Sequence, residues 1–400
     1  MRYYPILFLI HICLLQAGCN KETTKNANEP FEFYTIDFEQ GFDTERQMFI
    51  SEIADSVEYI ELKTPDDVII TRIWDIKQLD SLLIIRSRRD AYIFHKNGQF
   101  IKQIGARGQG PGEYISLVDL EIDRKKKEIV ITDTEKLLFC DLNGNFLRSQ
   151  KRKPEIIYLG ISDSVLWMGD IEDLANKYKA VAVSLDRLND TLACIPNPMY
   201  GITKPPGSTS ALSPYEIFFY YKNDLLYFKG SVSNDTIWKI SGVHAEPYAF
   251  IDLGKYKLPL KYEPWYSSFE NYVQNYDPYW SVLSVIEDDR YFYLFSNWKK
   301  IDQNRRSYAA FKYIVYDKKE QTVFSAKDKN DIGITDNIQG GPPIWPRWIS
   351  NEYYMSAVES SELLEKTEAG EYTPSASLQE LLSRIDEDSN DLIILCQRKK

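Results

Sequence analysis

The residues whose types and spacing could do chemistry begin with the run Ile104-Gly-Ala-Arg-Gly-Gln-Gly-Pro-Gly-Glu-Tyr114. A glycine-rich loop can cradle a phosphate on its backbone N–H groups, but this one lacks the Gly-Lys-Ser/Thr ending of a P-loop and has no βαβ setting. The glycines read instead as a tight crossing between two structural units, since glycine reaches backbone conformations closed to other residues. Arg107, Gln109, Glu113 and Tyr114 are the side chains such a crossing would offer a ligand. A glycosidase or lyase would need two carboxylates at a set separation; Asp119, Asp133, Asp170, Asp288 and Asp289 are available, and no spacing marks a pair. The sequence has three histidines and no Gly-x-Ser-x-Gly elbow, which argues against a metal centre and against a serine hydrolase of that kind. No catalytic residue, metal or cofactor is assigned.

Aromatic residues form a second group of candidates. Tyr262, Trp265, Tyr266, Phe269, Tyr272, Tyr276, Tyr279 and Trp280 crowd a stretch interrupted by Pro264 and Pro278, and Trp345 and Trp348 close the run 340–348. Rings on loops can stack on sugars or grip a peptide, which makes Trp265, Trp280, Trp345 and Trp348 binding candidates. Filling the gaps between packed sheets is the competing role and the expected one.

The elements that must position these residues are strands. Short apolar runs such as Ser81–Arg86, Glu128–Asp133, Tyr291–Phe295 and Asp391–Cys396 are separated by Asn, Asp, Gly and charged pairs, the pattern of antiparallel strands. Residues 81–102 align without a gap to 127–148, an offset of 46, so that Asn97-Gly98 falls on Asn143-Gly144 and Phe100 on Phe146. Asn-Gly predicts a two-residue type I′ hairpin. A period in the forties with four antiparallel strands is that of a β-propeller blade. Weaker copies at Leu225–Ile240 and Tyr291–Asp317, with 157–193 and 343–400, bring the number of blades to six, all-β and four-stranded. A strand near Ser56–Leu62 is expected to complete the last sheet and remove its open edge. Ser377-Leu378-Gln379-Glu380 matches a capping box, and Ser360–Lys366 suggests another short helix, so a few helical insertions are placed late in the chain.

The first residues form an address. Arg2, an apolar run from Ile6 to Leu15 and then Gln16-Ala17-Gly18-Cys19 have the parts of a secretory signal peptide, and the run is shorter than the roughly 20 residues a bilayer span takes. Ala17-Gly18-Cys19 resembles the lipobox of bacterial lipoproteins, with Gln16 where Leu is usual. This divides the chain into a signal peptide (1–18), a lipidated Cys19 with a polar tether (19–30) and a propeller (31–400). Beyond Cys13 and Cys19 remain Cys140, Cys194 and Cys396, an odd number with no metal-like spacing; whether Cys194 and Cys396 pair is left open. The formal net charge of -11 excludes a basic nucleic-acid binder.

The glycine segment, with the lipobox-like start, Val57–Leu62, Asn234-Asp235-Thr236-Ile237-Trp238 and Asn390–Ile394, resembles the six-bladed β-propeller lipoproteins of Gram-negative commensal bacteria, relatives of the NHL-repeat propellers. The resemblance implies the fold and an envelope location, at the outer membrane through a lipid anchor, and brings no activity with it, because one fold hosts many functions. The lyases of the NHL type hold a metal with several histidines, which this chain does not have. The expected role is a non-enzymatic binding or scaffold module for a glycan, a peptide or a partner protein; the alternative is an envelope glycan-active hydrolase or lyase using channel carboxylates.

Overall fold

A computed structural model of the chain describes residues 32–70, 72–151, 158–169, 177–197, 200–201, 219–230, 235–259, 279–301, 307–328 and 333–399. Three strands come first: β1 (Tyr34–Asp37), β2 (Glu45–Arg46) and β3 (Ala54–Ile60). Blade 1 is β4 (Ile73–Leu79), β5 (Leu82–Ser87), β6 (Ala91–His95) and β7 (Phe100–Ile104). A two-residue parallel pair, β8 (Ala106–Arg107) with β9 (Glu113–Tyr114), marks the crossing to blade 2. Blade 2 holds β10 (Asp119–Asp123), β11 (Glu128–Thr132), β12 (Lys136–Asp141) and β13 (Phe146–Lys151). Blade 3 holds β14 (Tyr158–Ser162), β15 (Val165–Gly169), β16 (Tyr178–Ser184) and β17 (Arg187–Pro196).

Blade 4 is β18 (Phe219–Lys222), β19 (Leu225–Phe228), β20 (Thr236–Ser241) and β21 (His244–Asp252). Blade 5 is β22 (Ser281–Glu287), β23 (Tyr291–Ile301), β24 (Ser307–Asp317) and β25 (Thr322–Ala326). Blade 6 combines β26 (Trp348–Ile349), β27 (Tyr353–Val358) and β28 (Leu392–Arg398) with β3 from the other end of the chain. The six sheets stand in a ring as a six-bladed β-propeller with antiparallel blades.

The middle strands are near-continuous apolar runs because both of their faces are covered by neighbouring blades. Leu83 and Ile85 of β5 pack on Trp348, Met355, Ile393 and Leu395 of blade 6, while Ile84 on the opposite face packs on Ile122, Ile129 and Ile131 of blade 2. Outermost strands have one side in water, and β13 alternates exposed and half-buried positions from Leu147 onward.

Closure follows the expectation from Ser56–Leu62. β3 pairs antiparallel with β28, from Ile393 opposite Ile60 to Arg398 opposite Ala54. The two strands before it were not foreseen: β1 adds in parallel to the outer edge of blade 4 through β21, and β2 to that of blade 5 through β25. Residues 34–60 thus bind blades 4, 5 and 6 in turn. Between β1 and β2, helix α1 (Phe38–Asp43) is capped by Asp37, whose carboxylate accepts the Gln40 N–H, and buries Phe38.

Two local expectations are corrected. At the repeated hairpins only the glycines have positive φ, +85° at Gly98 and +73° at Gly144. His95 accepts the Gly98 N–H and donates to the Gln99 carbonyl, and Asp141 does the same with Gly144 and Asn145. These are three-residue turns ending in a left-handed glycine with a bulge, rather than type I′ turns, because one left-handed residue suffices when a bulge absorbs the extra position. The late helix α3 (Ala376–Leu382), which follows α2 (Ser360–Glu368), is capped by Ser375 instead of Ser377. Both hydroxyls donate to Gln339 Oε1, but Ser375 is the extended residue immediately before the helix, and its Oγ accepts the Leu378 N–H.

Candidate functional site

The residues expected to bind do not converge. Arg107 and Gln109 are exposed on the crossing between blades 1 and 2. Glu113 turns back into its own loop, where its Oε2 accepts the Gly110 N–H at 2.7 Å; a Cβ on Gly108 would stand 2.0 Å from that oxygen. Tyr114 is buried between blades 1 and 2 and donates to Asp90 Oδ1 at 3.1 Å; burial raises its pKa and Asp90 adds to the effect. Trp280 is buried at the start of blade 5, edge-on to Phe42. Trp345 stacks on Tyr313 with ring centres 4.4 Å apart, and Trp348 lies in the separate core joining blades 6 and 1. Trp265 and Cys19 fall outside the described residues. The crossing loop is one local unit, and of the candidate tryptophans Trp280 and Trp345 pack into one core while Trp348 packs into another.

Several of the suspected carboxylates hold the ring together. Asp133 Oδ1 accepts the N–H groups of Ile115, Ser116 and Thr134. Asp288 accepts the hydroxyls of Tyr293 and Tyr354 and the N–H groups of Arg290 and Tyr291. Asp289 accepts from Asn223, and Asp224 from Asn351, so the first turns of blades 4, 5 and 6 are tied to one another. Asp170 lies outside the described residues. Glu287, fully buried, receives Tyr220, Tyr248 and Lys318; burial raises its pKa against the pull of Lys318 and Lys222.

A group that sequence reasoning did not assemble lies where the inner strands of blades 1 and 2 adjoin. Asp75 and Lys77 alternate along β4, and Asp119 and Glu121 along β10. Residues i and i+2 of a strand share a face, so each pair projects together. The Lys77 ammonium lies 3.4 Å from Asp75 Oδ2 and 3.3 Å from Glu121 Oε2. Asp119 Oδ2 accepts the Leu159 N–H of blade 3 at 2.8 Å. Arg86, opposite Asp75 in the β4–β5 register, donates from Nη1 to the Val118 carbonyl at 2.9 Å and sets its guanidinium 5.5 Å from the ring centre of Trp74. Trp74 is half-buried, at a register shift between Ile73 and Asp75. The signal for this group was available in Asp-x-Lys and Asp-x-Glu, ionisable residues at alternate positions of the first strand of each blade, where apolar residues would serve packing.

Electrostatics here are those of enclosed ions. Burial lifts Asp119 above the usual carboxylate range, with Arg86 and Lys77 opposing, and lifts Glu121 likewise against Lys77. Burial works against the Lys77 charge, but Asp75, Glu121 and Asp119 outweigh it and hold its pKa above the ordinary lysine value. Three buried polar atoms of the region have no hydrogen-bond partner in the protein, Arg86 Nε, Asp123 Oδ2 and Thr132 Oγ1, while Glu121 Oε2 has the Lys77 ammonium 3.3 Å away. Among the described residues no group of His, Cys, Asp and Glu has a metal-holding arrangement, the three cysteines are free, and no helix is long and apolar enough to cross a membrane.

Similar proteins agree on the architecture. The chain is similar to a crystal structure described as an exported protein from Bacteroides fragilis, at 19% identity and a TM-score of 0.69, covering 92% of this chain and 100% of that one. It is also similar to a member of the DUF4221 family from Bacteroides vulgatus, at 15% identity and a TM-score of 0.52, covering 86% and 96%. No curated protein matches the sequence. The model of the domain of unknown function DUF4934 matches residues 33–397, and the chain belongs to that family.

Proposed function

We propose that the chain is an envelope-located propeller, tethered to the outer membrane through a lipid on Cys19, that acts as a binding or scaffold module for a glycan, a peptide or a partner protein. The observation that carries this reading is where the carboxylates are spent. Asp133, Asp288 and Glu287 accept hydrogen bonds from backbone, tyrosine or lysine groups of their own ring, which fits a rigid scaffold better than an acid–base pair. The secretory character of residues 1–18 and the polar run 20–30 support export and a tether, and the similarity to a protein described as exported supports export.

Two measurements test the reading. Cells fed a fatty-acid analogue should label the wild-type protein and not Cys19→Ser, with the variant leaving the membrane fraction; labelling of both would sink the anchor. The full-length protein in detergent should retain a ligand from arrays of glycans and peptides. The alternative, a glycan-active hydrolase or lyase, has in its favour the raised pKa values of Asp119 and Glu121. It requires turnover of a polysaccharide that Asp119→Asn or Glu121→Gln abolishes.

A further inference from the structure

We infer that Arg72, Arg88, Arg89 and Arg107 form a docking site for an acidic polysaccharide, a chain that bears carboxylate or sulfate groups on its sugar rings. This deepens the binding reading and rests on it. All four side chains are exposed, and none of their guanidinium groups has an ion-pair or hydrogen-bond partner among the described residues. Every other arginine with a described side chain is engaged, by a carboxylate, by a backbone carbonyl or, for Arg347, by the Trp348 ring. The free four are not scattered, because the fold gathers them at one end of blade 1.

Strand register places them. Ile73 at the start of β4 faces Ser87 at the end of β5, so Arg72 and Arg88 leave the ladder side by side. Ala91 at the start of β6 faces Ile104 at the end of β7, which brings Arg89, two residues before Ala91, to the same end as Arg107 in β8. Arg107 lies opposite Tyr114 in the β8–β9 pair, and the Tyr114 hydroxyl donates to Asp90, next to Arg89. Neighbouring strands are about 4.8 Å apart, so four strand ends set out a row of cationic positions roughly 14 Å long.

Three carboxylates beside the row are turned inward. Asp391 accepts the N–H groups of Arg72 and Ile73, with Arg72 held at φ +55°; Asp90 accepts from Tyr114 and Gln103; Glu113 accepts the Gly110 N–H of its own loop. The row is therefore a local exception in a chain of net charge -11, and that charge keeps a polyanion off the rest of the surface. A guanidinium offers a planar fork matched to a carboxylate or a tetrahedral oxyanion. An extended peptide presents successive side chains of one face about 6.6 Å apart, wider than the spacing of the row, and strand ends give it no open edge to pair with. A polysaccharide of uronic acids or sulfated sugars carries an anionic group on each ring and needs neither.

The test uses the full-length protein in detergent and calorimetric titration with polygalacturonate and dextran sulfate, with neutral dextran and poly-glutamate for comparison. At least one of the two acidic polysaccharides should bind, less tightly as salt rises. Arg88→Gln combined with Arg89→Gln should weaken it about tenfold or more, and Arg72→Gln and Arg107→Gln should each weaken it by a smaller factor. Arg187→Gln, at an exposed arginine of blade 3 paired with Asp190, should leave it unchanged. The substituted side chains all lie in solvent, so an unaltered melting temperature should accompany each variant. Binding untouched by the row variants, or weakened as much by Arg187→Gln, would overturn the assignment and leave the binding role standing elsewhere on the molecule. Poly-glutamate bound as tightly and lost in the same variants, or neutral dextran bound as tightly as its sulfated form, would overturn the ligand class. Silence toward both acidic polysaccharides would overturn this inference, and the binding reading falls only if the full arrays are silent as well.

Discussion

Asp391 shows how a single residue sets a pH dependence in this ring. It precedes β28, and burial, with the nearby Glu359 charge, lifts its pKa from 3.8 to about 6, while the N–H groups of Ile73 and Arg72 and the charge of Arg347 pull the other way. A carboxyl whose folded pKa lies above its unfolded value favours the folded state fully below the unfolded pKa, and that contribution is lost as pH rises through the folded one. Stability should therefore fall between about pH 4 and 6, by an amount on the order of 2–3 kcal/mol. Asp391→Asn keeps an acceptor for the two N–H groups and cannot ionise. Urea titrations across pH 4 to 8 should show the wild type losing more stability over that window than the variant, which keeps the contributions of Asp119, Glu121 and Glu287 but lacks that of Asp391; equal slopes would refute this account. The inner-wall residues belong to the same scale. Asp119 was visible in the sequence as one carboxylate among many, but its relation to Lys77, Glu121 and Arg86 depends on which blades adjoin, and no linear spacing reports that.

At the scale of elements, the strands were legible because each is either wholly enclosed or half-enclosed, and the residues say which. Leu82–Ser87 and Glu128–Thr132 were readable from their apolar runs, and the offset between them survives in the structure, since β6 and β12 end in the same turn. The turn type was not legible: Asn-Gly fits a type I′ hairpin and a three-residue bulged turn equally well, and the choice rests on the register of the following strand, where Phe94 faces Phe100 and Cys140 faces Phe146. β1 and β2 were missed because a strand added in parallel to an outer edge needs only a few extended residues and no alternation of its own. The repeated turn also gives a matched comparison. A Cβ at Gly144 would meet side-chain atoms at 3.2 Å or more, whereas at Gly98 it would lie 2.0 Å from the Glu61 carbonyl oxygen. Gly144→Ala should cost only the left-handed penalty, about 1–2 kcal/mol. Gly98→Ala carries the same penalty plus displacement of the backbone that joins β3 to blade 1, where Lys63 bonds to Gly98 and Phe100. Chemical denaturation should place Gly98→Ala well below Gly144→Ala, and equal losses would contradict the close approach.

At the scale of the molecule, the six sheets depend on one another through their faces, and the ring depends on β3. Each blade buries its two faces on two neighbours, so opening the ring anywhere exposes a pair of apolar surfaces at once. The residues joining blade 6 to blade 1, among them Phe94, Trp348 and Ile393, are nearly inaccessible to solvent. β3 completes blade 6 from the opposite end of the chain, which makes closure a contact of high sequence separation; β1 and β2 lie outside a ring that is already closed and fasten its rim. The two roles predict different failures. Val57 in β3 and Ile36 in β1 are both buried, at 1% and 0% exposure, and an unpaired charge at either site costs several kcal/mol. Val57→Asp breaks the sheet that closes the ring, so the loss should spread to all six blades: no cooperative transition, or one lowered for every probe, with hydrogen-exchange protection falling in blades 1 to 3 as much as in blade 6. Ile36→Asp should release the belt alone, giving early proteolytic cleavage near residues 34–46 while the strands of blades 1 to 3 keep wild-type protection. Exchange measured peptide by peptide separates the two, and a global loss of protection in Ile36→Asp would show that the belt, and not β3, is the closure on which the ring depends.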